Sequence, residues 1–244
     1  MPGVADSLAQ VRLRIVKAAE QYGRDPSTIR LVAVSKRQTA AAIREAYAAG
    51  QRDFGENYVQ ELQSKAEELA DLTDLRWHMI GHLQRNKAKL VVQAVSLVHT
   101  LDSTELALEL DRRAKDHPVP NTKCFDARYA AGRLPVLVEL NVGGETQKSG
   151  CEVQALPAIL ETIEGCAQLQ LAGLMTVPPF TDEPADSEPY FAQLVAAREK
   201  NGGARRLPEL SMGMTLDLEY AIAAGATLVR VGTAIFGERT PSLV

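Results

Sequence analysis

The stretch that decides the fold is Leu31-Val32-Ala33-Val34-Ser35-Lys36, a run of apolar or small residues that ends in one lysine. The β-branched residues at positions 32 and 34 and the short length of the run predict a buried strand of a parallel sheet. Because side chains alternate along a strand, Val32, Val34 and Lys36 share one face, with Lys36 at the carboxyl end. A partly desolvated amine at such a position is a candidate nucleophile toward carbonyl groups. The alternative is that Lys36 only begins a solvated turn.

Outward from this strand, the chain alternates between strand and helix patterns. The predicted strands are 31–36, 53–57, 76–82, 96–101, 135–142, 171–177, 208–212 and 227–231. Helical patterns over 40–49, 58–70, 86–94, 104–115, 153–164, 187–200 and 216–224 separate them. Eight strands without a linker or composition shift predict an α/β protein with a single closed (β/α)8 barrel over residues 1–244. A doubly wound open sheet is the rival fold, but the Gly-rich first turn that it requires is missing here.

Two segments fall outside the alternating pattern. An amphipathic helix is predicted over 5–22, ahead of the first strand, because apolar residues recur there at helical spacing. Residues 117–134 carry Pro118, Pro120 and Gly132, which interrupt any regular element. We predict that this segment is a surface insertion.

Composition excludes several classes of function. The net charge is -4 and the chain has no basic block, which argues against a nucleic-acid partner. No apolar run approaches a membrane span and no signal-peptide core is present, so we expect a cytoplasmic protein with no membrane partner. The cysteines Cys124, Cys151 and Cys166 lack metal-ligand spacing, as do the four histidines, so we expect reduced thiols and no metal.

Chemistry in a (β/α)8 barrel lies at the carboxyl ends of the strands. The residues at these positions are Lys36, Asn57, His82, Ser103, Asn141, Met175, Ser211 and Gly232. The last two strands lead into Ser211-Met212-Gly213-Met214-Thr215 and Gly232-Thr233, where such barrels often hold a phosphate. Small residues let the backbone approach a dianion, and amides with hydroxyls can bind it, although the same residue types also cap helices.

A lysine that can form a Schiff base and a phosphate site across the same barrel mouth suggest a phosphorylated aldehyde, and pyridoxal 5′-phosphate (PLP) is the candidate cofactor. Arg230 is predicted to point inward, two residues before Gly232. It could donate to the pyridine nitrogen of PLP. The alternative is a salt bridge inside the barrel with Glu139 or Glu56.

Several motifs in order carry a family resemblance. They are Ala33-Val34-Ser35-Lys36, Phe54-Gly55-Glu56-Asn57-Tyr58, Trp77-His78-Met79-Ile80-Gly81-His82-Leu83-Gln84-Arg85-Asn86-Lys87, Lys148-Ser149-Gly150-Cys151, Gly173-Leu174-Met175-Thr176, Ser211-Met212-Gly213-Met214-Thr215 and Arg230-Val231-Gly232-Thr233-Ala234-Ile235-Phe236-Gly237. On these motifs the chain resembles the YggS/PROSC family of PLP homeostasis proteins across nearly its whole length. It departs from the family pattern at Lys36-Arg37-Gln38-Thr39, where the family often has Lys-Thr-Lys-Pro.

The resemblance implies a fold like the barrel domain of alanine racemase. It also implies Lys36 as the imine-forming lysine and Arg230 facing the pyridine nitrogen. The residues that it places around the phosphate are Ser211, Gly213, Gly232 and Thr233. Asn57, His82 and Met175 complete the candidate cofactor-binding set by their strand-end positions.

The resemblance further implies a protein that holds, buffers or delivers PLP in vitamin B6 homeostasis, without robust turnover. We expect a monomer, with apo PLP-dependent enzymes as candidate recipients. A low-activity amino-acid racemase is the first alternative, but it needs a second acid–base group, and Tyr58 and His82 are only candidates by position. No added domain is expected beyond Val244 to supply one. A class I aldolase-like enzyme that binds a sugar phosphate is the second alternative.

Overall fold

In the computed structural model, which describes residues 3–119, 124, 126–129, 132–145 and 149–237, eight parallel strands close into one barrel. The strands are β1 (Arg30–Val34), β2 (Asp53–Glu56), β3 (Arg76–Met79), β4 (Val95–Leu101), β5 (Leu134–Glu139), β6 (Leu169–Met175), β7 (Glu209–Ser211) and β8 (Leu228–Val231). Each strand pairs with the next along the chain, and β8 pairs with β1. The predicted (β/α)8 barrel is confirmed, and the open-sheet alternative is wrong.

Helices surround this barrel. They are α1 (Val4–Gln21), α2 (Ala40–Ala48), α3 (Val59–Glu68), α4 (Ala88–Val92), α5 (Thr104–Ala114), α6 (Leu156–Gly165), α7 (Glu188–Lys200), α8 (Gly203–Arg206), α9 (Leu218–Ala224) and α10 (Thr233–Phe236). Short 3₁₀ turns lie at Pro26–Thr28, Arg85–Lys87, Val153–Ala155 and Pro184–Ser187. No helix among these described residues is long and apolar enough to cross a membrane.

The predicted N-terminal helix covers the seam where the barrel closes. Its buried side chains recur at helical spacing and form one stripe: Leu8, Val11, Ile15, Ala18 and Ala19. This stripe packs toward α9 and α10, the helices on either side of β8, because α1 contacts both of them. At the seam itself, Val32 of β1 stands in register with Arg230 of β8. The first and last units of the chain therefore depend on each other.

The barrel interior is packed with side chains. One apolar cluster consists of Val32, Leu97, Tyr129, Leu137, Ala172, Met175 and Leu228. Gly173 lets β6 and β7 approach, because a Cβ at this position would lie 1.9 Å from the carbonyl oxygen of Glu209 and its φ is +156°. This packing makes the interior a core and leaves the carboxyl-end mouth as the place for chemistry.

The prediction of a surface insertion over 117–134 does not hold for Tyr129. Its side chain is buried in the interior cluster, and its hydroxyl donates to Glu209 Oε1 at 3.0 Å. Glu209 is the first residue of β7, so Tyr129 lies toward the amino end of the barrel. The proline and glycine signals show where regular structure stops, but they carry no information about where an aromatic side chain between them is buried. Residues 120–123, 125, 130 and 131 lie outside the described residues.

Several predicted strands extend too far at their carboxyl ends. Lys36, Asn57, His82 and Asn141 all lie in loops beyond the last paired residue, whereas Met175 and Ser211 end their strands. The apolar pattern reports burial, and burial continues into loops that pack under neighbouring strands. Ser35, for example, is buried outside β1 and still donates its N–H to the Gly55 carbonyl at 3.0 Å.

Candidate functional site

Lys36 lies on a turn two residues after β1, at the carboxyl-end mouth of the barrel. Its side chain is half-buried, and the next residue, Arg37, has a φ of +60°. A left-handed conformation is uncommon for a residue other than glycine and must be supported by its surroundings. The backbone of this turn is therefore held in place by other groups.

The supporting groups are Glu56, Glu61 and Lys65, which we call the turn clamp. Lys65 Nζ donates to the carbonyl oxygen of Ser35 at 2.6 Å, to Glu56 Oε1 at 2.7 Å and to Glu61 Oε1 at 2.6 Å. Glu61 Oε1 also accepts the backbone N–H of Arg37. The clamp thus binds the backbone on both sides of Lys36.

The centre of the turn clamp is a buried ion pair. Glu56 is fully buried and Lys65 is 6% exposed. Burial raises the pKa of the Glu56 carboxyl, although Lys65 and the Ser35 hydroxyl, which donates at 2.7 Å, act in the opposite direction. A buried charge needs a partner with good geometry, and Lys65 provides one.

Arg230 points into the barrel, as the alternation along β8 predicts. Its guanidinium donates to Ser211 Oγ at 2.6 Å and to the carbonyl oxygen of Thr176 at 2.8 Å. Burial lowers the pKa of Arg230 to about 10, while Glu139 acts against this shift. The predicted alternative of a salt bridge to Glu56 is wrong, because Glu56 pairs with Lys65.

Glu139 ends β5 and is 6% exposed. Its Oε2 atom has no hydrogen-bond partner among the described residues. The pKa of the Glu139 carboxyl is raised to about 7, mainly by burial; Arg230 lowers the pKa and Asp102 raises it. The mouth therefore contains a carboxyl group that changes charge near neutral pH.

Glu139 should make the stability of the protein depend on pH. Its pKa is higher in the folded protein than in the unfolded chain, so its contribution is fully present at low pH and is lost as the pH rises toward and past about 7. The Glu139→Gln variant should lack this loss, which amounts to up to about 3 kcal/mol. Urea unfolding of both proteins between about pH 5 and pH 8 measures it.

The matched control is Glu161→Gln, at an exposed position on α6. It should leave the pH profile of wild type unchanged. Equal slopes for wild type and Glu139→Gln would contradict the assignment.

Three further predicted residues occupy different environments. Asn57 is half-buried, and its Oδ1 atom is buried without a hydrogen-bond partner among the described residues. The His82 side chain is 53% exposed, with Nδ1 3.6 Å from Asp102 Oδ2. Met175 is fully buried in the interior cluster. Asn57 Oδ1 is therefore a buried acceptor to which no described residue donates, while His82 lies at the rim and Met175 in the core.

The two predicted phosphate loops differ in what they offer. Gly232 lies against β1, because a Cβ there would be 3.2 Å from the carbonyl oxygen of Val34, and Thr233 is exposed beside it. Gly213 has a φ of +91° and no room for a Cβ, which would lie 2.4 Å from the Ala221 Cβ. Packing alone thus requires glycine at 213, and Asp217 Oδ1 already accepts the N–H of the next residue, Met214, at 2.6 Å.

Ser211 lies inside the barrel. Its side chain is fully buried and accepts a hydrogen bond from Arg230, and its place around the phosphate, which the resemblance implies, stays a prediction. A line of hydrogen bonds continues from it: Ser211 Oγ to His99 Nδ1 at 2.8 Å, His99 Nε2 to His78 Nδ1 at 2.9 Å, and His78 Nε2 to Asp53 Oδ1 at 3.0 Å. We call these five residues the interior relay. The Ser211 side chain therefore supports Arg230 from inside the barrel.

Sequence reasoning missed the residues that hold Arg230 and Lys36 in place. The Thr176 carbonyl accepts from Arg230 directly. His99 acts on Arg230 through Ser211, and Lys65 acts on Lys36 through the carbonyl oxygen of Ser35. Alternation from Leu97, which lies two residues before His99 on β4 and belongs to the interior cluster, was the available signal for His99. Lys148 of the predicted motif lies outside the described residues. Within the described residues, no group of three or more His, Cys, Asp or Glu could hold a metal ion.

The closed barrel and the polar groups at its mouth place the chain in a class of barrel proteins that a family model also recognises. The model of the family described as alanine racemase, N-terminal domain, matches residues 7–240, and the chain belongs to this family. Within it, the chain is 44% identical over 240 residues to the pyridoxal phosphate homeostasis protein of Pseudomonas aeruginosa, covering 98% of this chain and 97% of the relative. The protein of the same name from Aquifex aeolicus is 41% identical, with 96% and 97% covered. The resemblance inferred from the motifs is confirmed.

Solved structures with a similar fold agree with the family assignment. The structure of PipY from Synechococcus elongatus with PLP bound has a TM-score of 0.78 and 38% identity, and the match covers 96% of this chain and all of that one. Alanine racemase from Corynebacterium glutamicum has a TM-score of 0.64 at 15% identity, with 98% of this chain and 63% of that one covered. The second match shows the barrel fold alone.

Proposed function

We propose that the protein binds PLP in the barrel mouth as a Schiff base with Lys36, and that it serves PLP homeostasis and not substrate turnover. The observation that carries this proposal is the pairing, in one mouth, of a clamped lysine with the buried guanidinium of Arg230. The names of the relatives and the PLP bound to PipY support the choice of ligand.

The polar groups of the mouth suit PLP. The guanidinium of Arg230 carries five N–H donors, and its two hydrogen bonds to residues that the structure describes leave donors for an acceptor such as a ring nitrogen. Asn57 Oδ1 is buried without a donor from the described part of the chain, and a ligand can supply one. Gly232 and Thr233, next to β1, offer backbone and a hydroxyl for the phosphate.

We expect Thr233→Val to weaken PLP binding by about 10- to 100-fold, because a hydrogen bond to a charged group contributes roughly 1.5–3 kcal/mol. Affinity for pyridoxal, which lacks the phosphate, should change little. Titration of the purified protein with both ligands measures the difference. Thr162→Val, at a half-buried position on α6, is the matched control. Equal losses of affinity for the two ligands would mean that Thr233 supports the fold and does not bind the phosphate.

The charge of Arg230 also favours a role in holding PLP over a role in catalysis. Bound PLP supplies an aldehyde for covalent attachment and a ring that withdraws electrons best when its nitrogen is protonated. A guanidinium with a pKa of about 10 is charged at neutral pH and disfavours a second positive charge beside it. Arg230 therefore retains the cofactor while weakening its use as an electron sink.

Solvent deuterium exchange separates this proposal from the racemase alternative. The loaded protein, incubated with L- or D-amino acids in deuterated water, should exchange the α-proton negligibly. Exchange at about one per second or faster would be ordinary enzymatic turnover and would favour a racemase. A protein that keeps no PLP absorbance after free PLP has been removed would overturn both.

Apo forms of PLP-dependent enzymes are the proposed recipients. Mixing the loaded protein with such an enzyme should restore its activity at a rate that depends on the concentration of the recipient. A rate equal to that of spontaneous PLP release into buffer would argue for storage without directed delivery.

A further inference from the structure

The interior relay joins the two ends of the barrel. Asp53 begins β2 at the amino end, and Arg230 lies near the end of β8. His78, His99 and Ser211, which lie between them, are all fully buried. Burial of a polar group costs free energy unless the group is hydrogen-bonded. The four bonds of the relay, between 2.6 and 3.0 Å long, join polar groups that an apolar core would do without, so we expect them to have a role in function or in folding.

The two ends of the relay fix the direction of its two outer bonds. Arg230 has only donors, so Ser211 Oγ accepts from it. At the other end, Asp53 is fixed as an acceptor, because Arg76 donates to both of its oxygens at 2.8 Å. Contacts with Arg76 and His78 hold the pKa of Asp53 well below its usual range.

The two histidines between these ends then have one tautomer each. Burial lowers the pKa of both His78 and His99, so both rings are neutral. His78 donates from Nε2 to Asp53 and accepts at Nδ1 from His99 Nε2–H. His99 Nδ1 is left as the acceptor of the Ser211 hydroxyl hydrogen. The lone pairs of Ser211 therefore face Arg230.

We propose that His99 and Ser211 are positioning residues that hold the Arg230 guanidinium at the ring nitrogen of PLP, with the direction of the relay set from the far end by Asp53. The identity of the ligand rests on the proposed function. The orientation of Arg230 does not, and it can be measured without any ligand.

A near-isosteric pair of variants tests the role of His99. Asn places an oxygen close to the position of Nδ1 and can still accept from Ser211, whereas Leu cannot. Both lose the bond to His78, so any general effect on folding is shared. Ser96→Ala, which removes a β4 hydroxyl without a hydrogen-bond partner among the described residues, is the control outside the relay.

The first measurement is the hydrogen exchange of the Arg230 guanidinium by NMR in the protein without PLP. Exchange should be slow in wild type, His99→Asn and Ser96→Ala, and at least about 10-fold faster in His99→Leu, as expected when one hydrogen bond to a charged group is lost. Equal exchange in the Asn and Leu variants would overturn the proposal. So would a wild-type His99 protonated at Nδ1, which ¹⁵N chemical shifts report even if neither variant folds.

The second measurement compares PLP with an analogue in which carbon replaces the ring nitrogen. Wild type and His99→Asn should prefer PLP by about 10-fold, and His99→Leu should lose the preference. A preference that survives in His99→Leu overturns the positioning role while the proposed function stands. If wild type does not bind PLP, the proposed function is refuted. The hydrogen-exchange measurement then decides by itself whether His99 and Ser211 position Arg230.

Discussion

Replacement of Lys36 by alanine is expected to abolish covalent attachment of PLP and the visible absorbance that accompanies it. Lys36 is the lysine held at the mouth by the turn clamp, and phosphate and guanidinium contacts can retain only a non-covalent remainder of the affinity. The loss should be at least about 100-fold in affinity. Borohydride reduction of loaded wild type, followed by peptide mass spectrometry, should place a phosphopyridoxyl group on the peptide that contains Lys36.

Lys89→Ala, at an exposed position on α4, is the control for this experiment and should bind PLP as wild type does. A label found only on another lysine, or a Lys36→Ala protein that still traps PLP covalently, would refute the assignment of Lys36.

Replacement of Lys65 by methionine should destabilise the protein by about 3–5 kcal/mol at neutral pH, since it leaves the carboxylate of Glu56 buried without its charge partner. Burial already raises the pKa of Glu56, and the loss of Lys65 raises it further. A pKa higher in the folded than in the unfolded state makes stability fall as the pH rises. Urea unfolding should therefore show a smaller deficit near pH 5 than near pH 8.

The double variant Glu56→Gln with Lys65→Met separates charge from packing. It should recover a large part of the lost stability, because a neutral amide can be buried at lower cost than a carboxylate. A deficit that does not change with pH, or a double variant no more stable than Lys65→Met, would contradict the role of the ion pair. PLP affinity of the double variant should stay below that of wild type, because Lys65 no longer holds the Ser35 carbonyl beside Lys36.

The barrel could be predicted from the sequence alone because the strand pattern that indicates it is repeated eight times along the chain. Lys36 and Arg230 were identified for a related reason: parity along a strand and position at its end are local properties. The turn clamp was hidden, because Glu61 and Lys65 at i,i+4 spacing are typical of a solvated helix face. The burial of Lys65 depends on its pairing with Glu56, which a different element supplies.

The interior relay was hidden for a stronger reason. His99 and Ser211 are 112 residues apart, and their contact depends on the shear of the closed sheet. Strand register is irregular on both sides of β4, so counting residues from the strand ends does not recover it. Tyr129 is a similar case, because its burial in the barrel interior is decided by strands that lie far from it in sequence.

The closure of the barrel at its seam has a consequence for the order in which a ribosome makes this chain. β1, which leads to Lys36, pairs with β8, and α1 packs against α9 and α10. Lys36 is thus synthesised long before Arg230, Gly232 and Thr233. Until β8 has been made, a nascent chain carries the reactive amine without the groups that would recognise a cofactor. Capture of PLP should therefore occur only after β8 has been synthesised, so a loaded protein is one in which β8 has closed the barrel against β1.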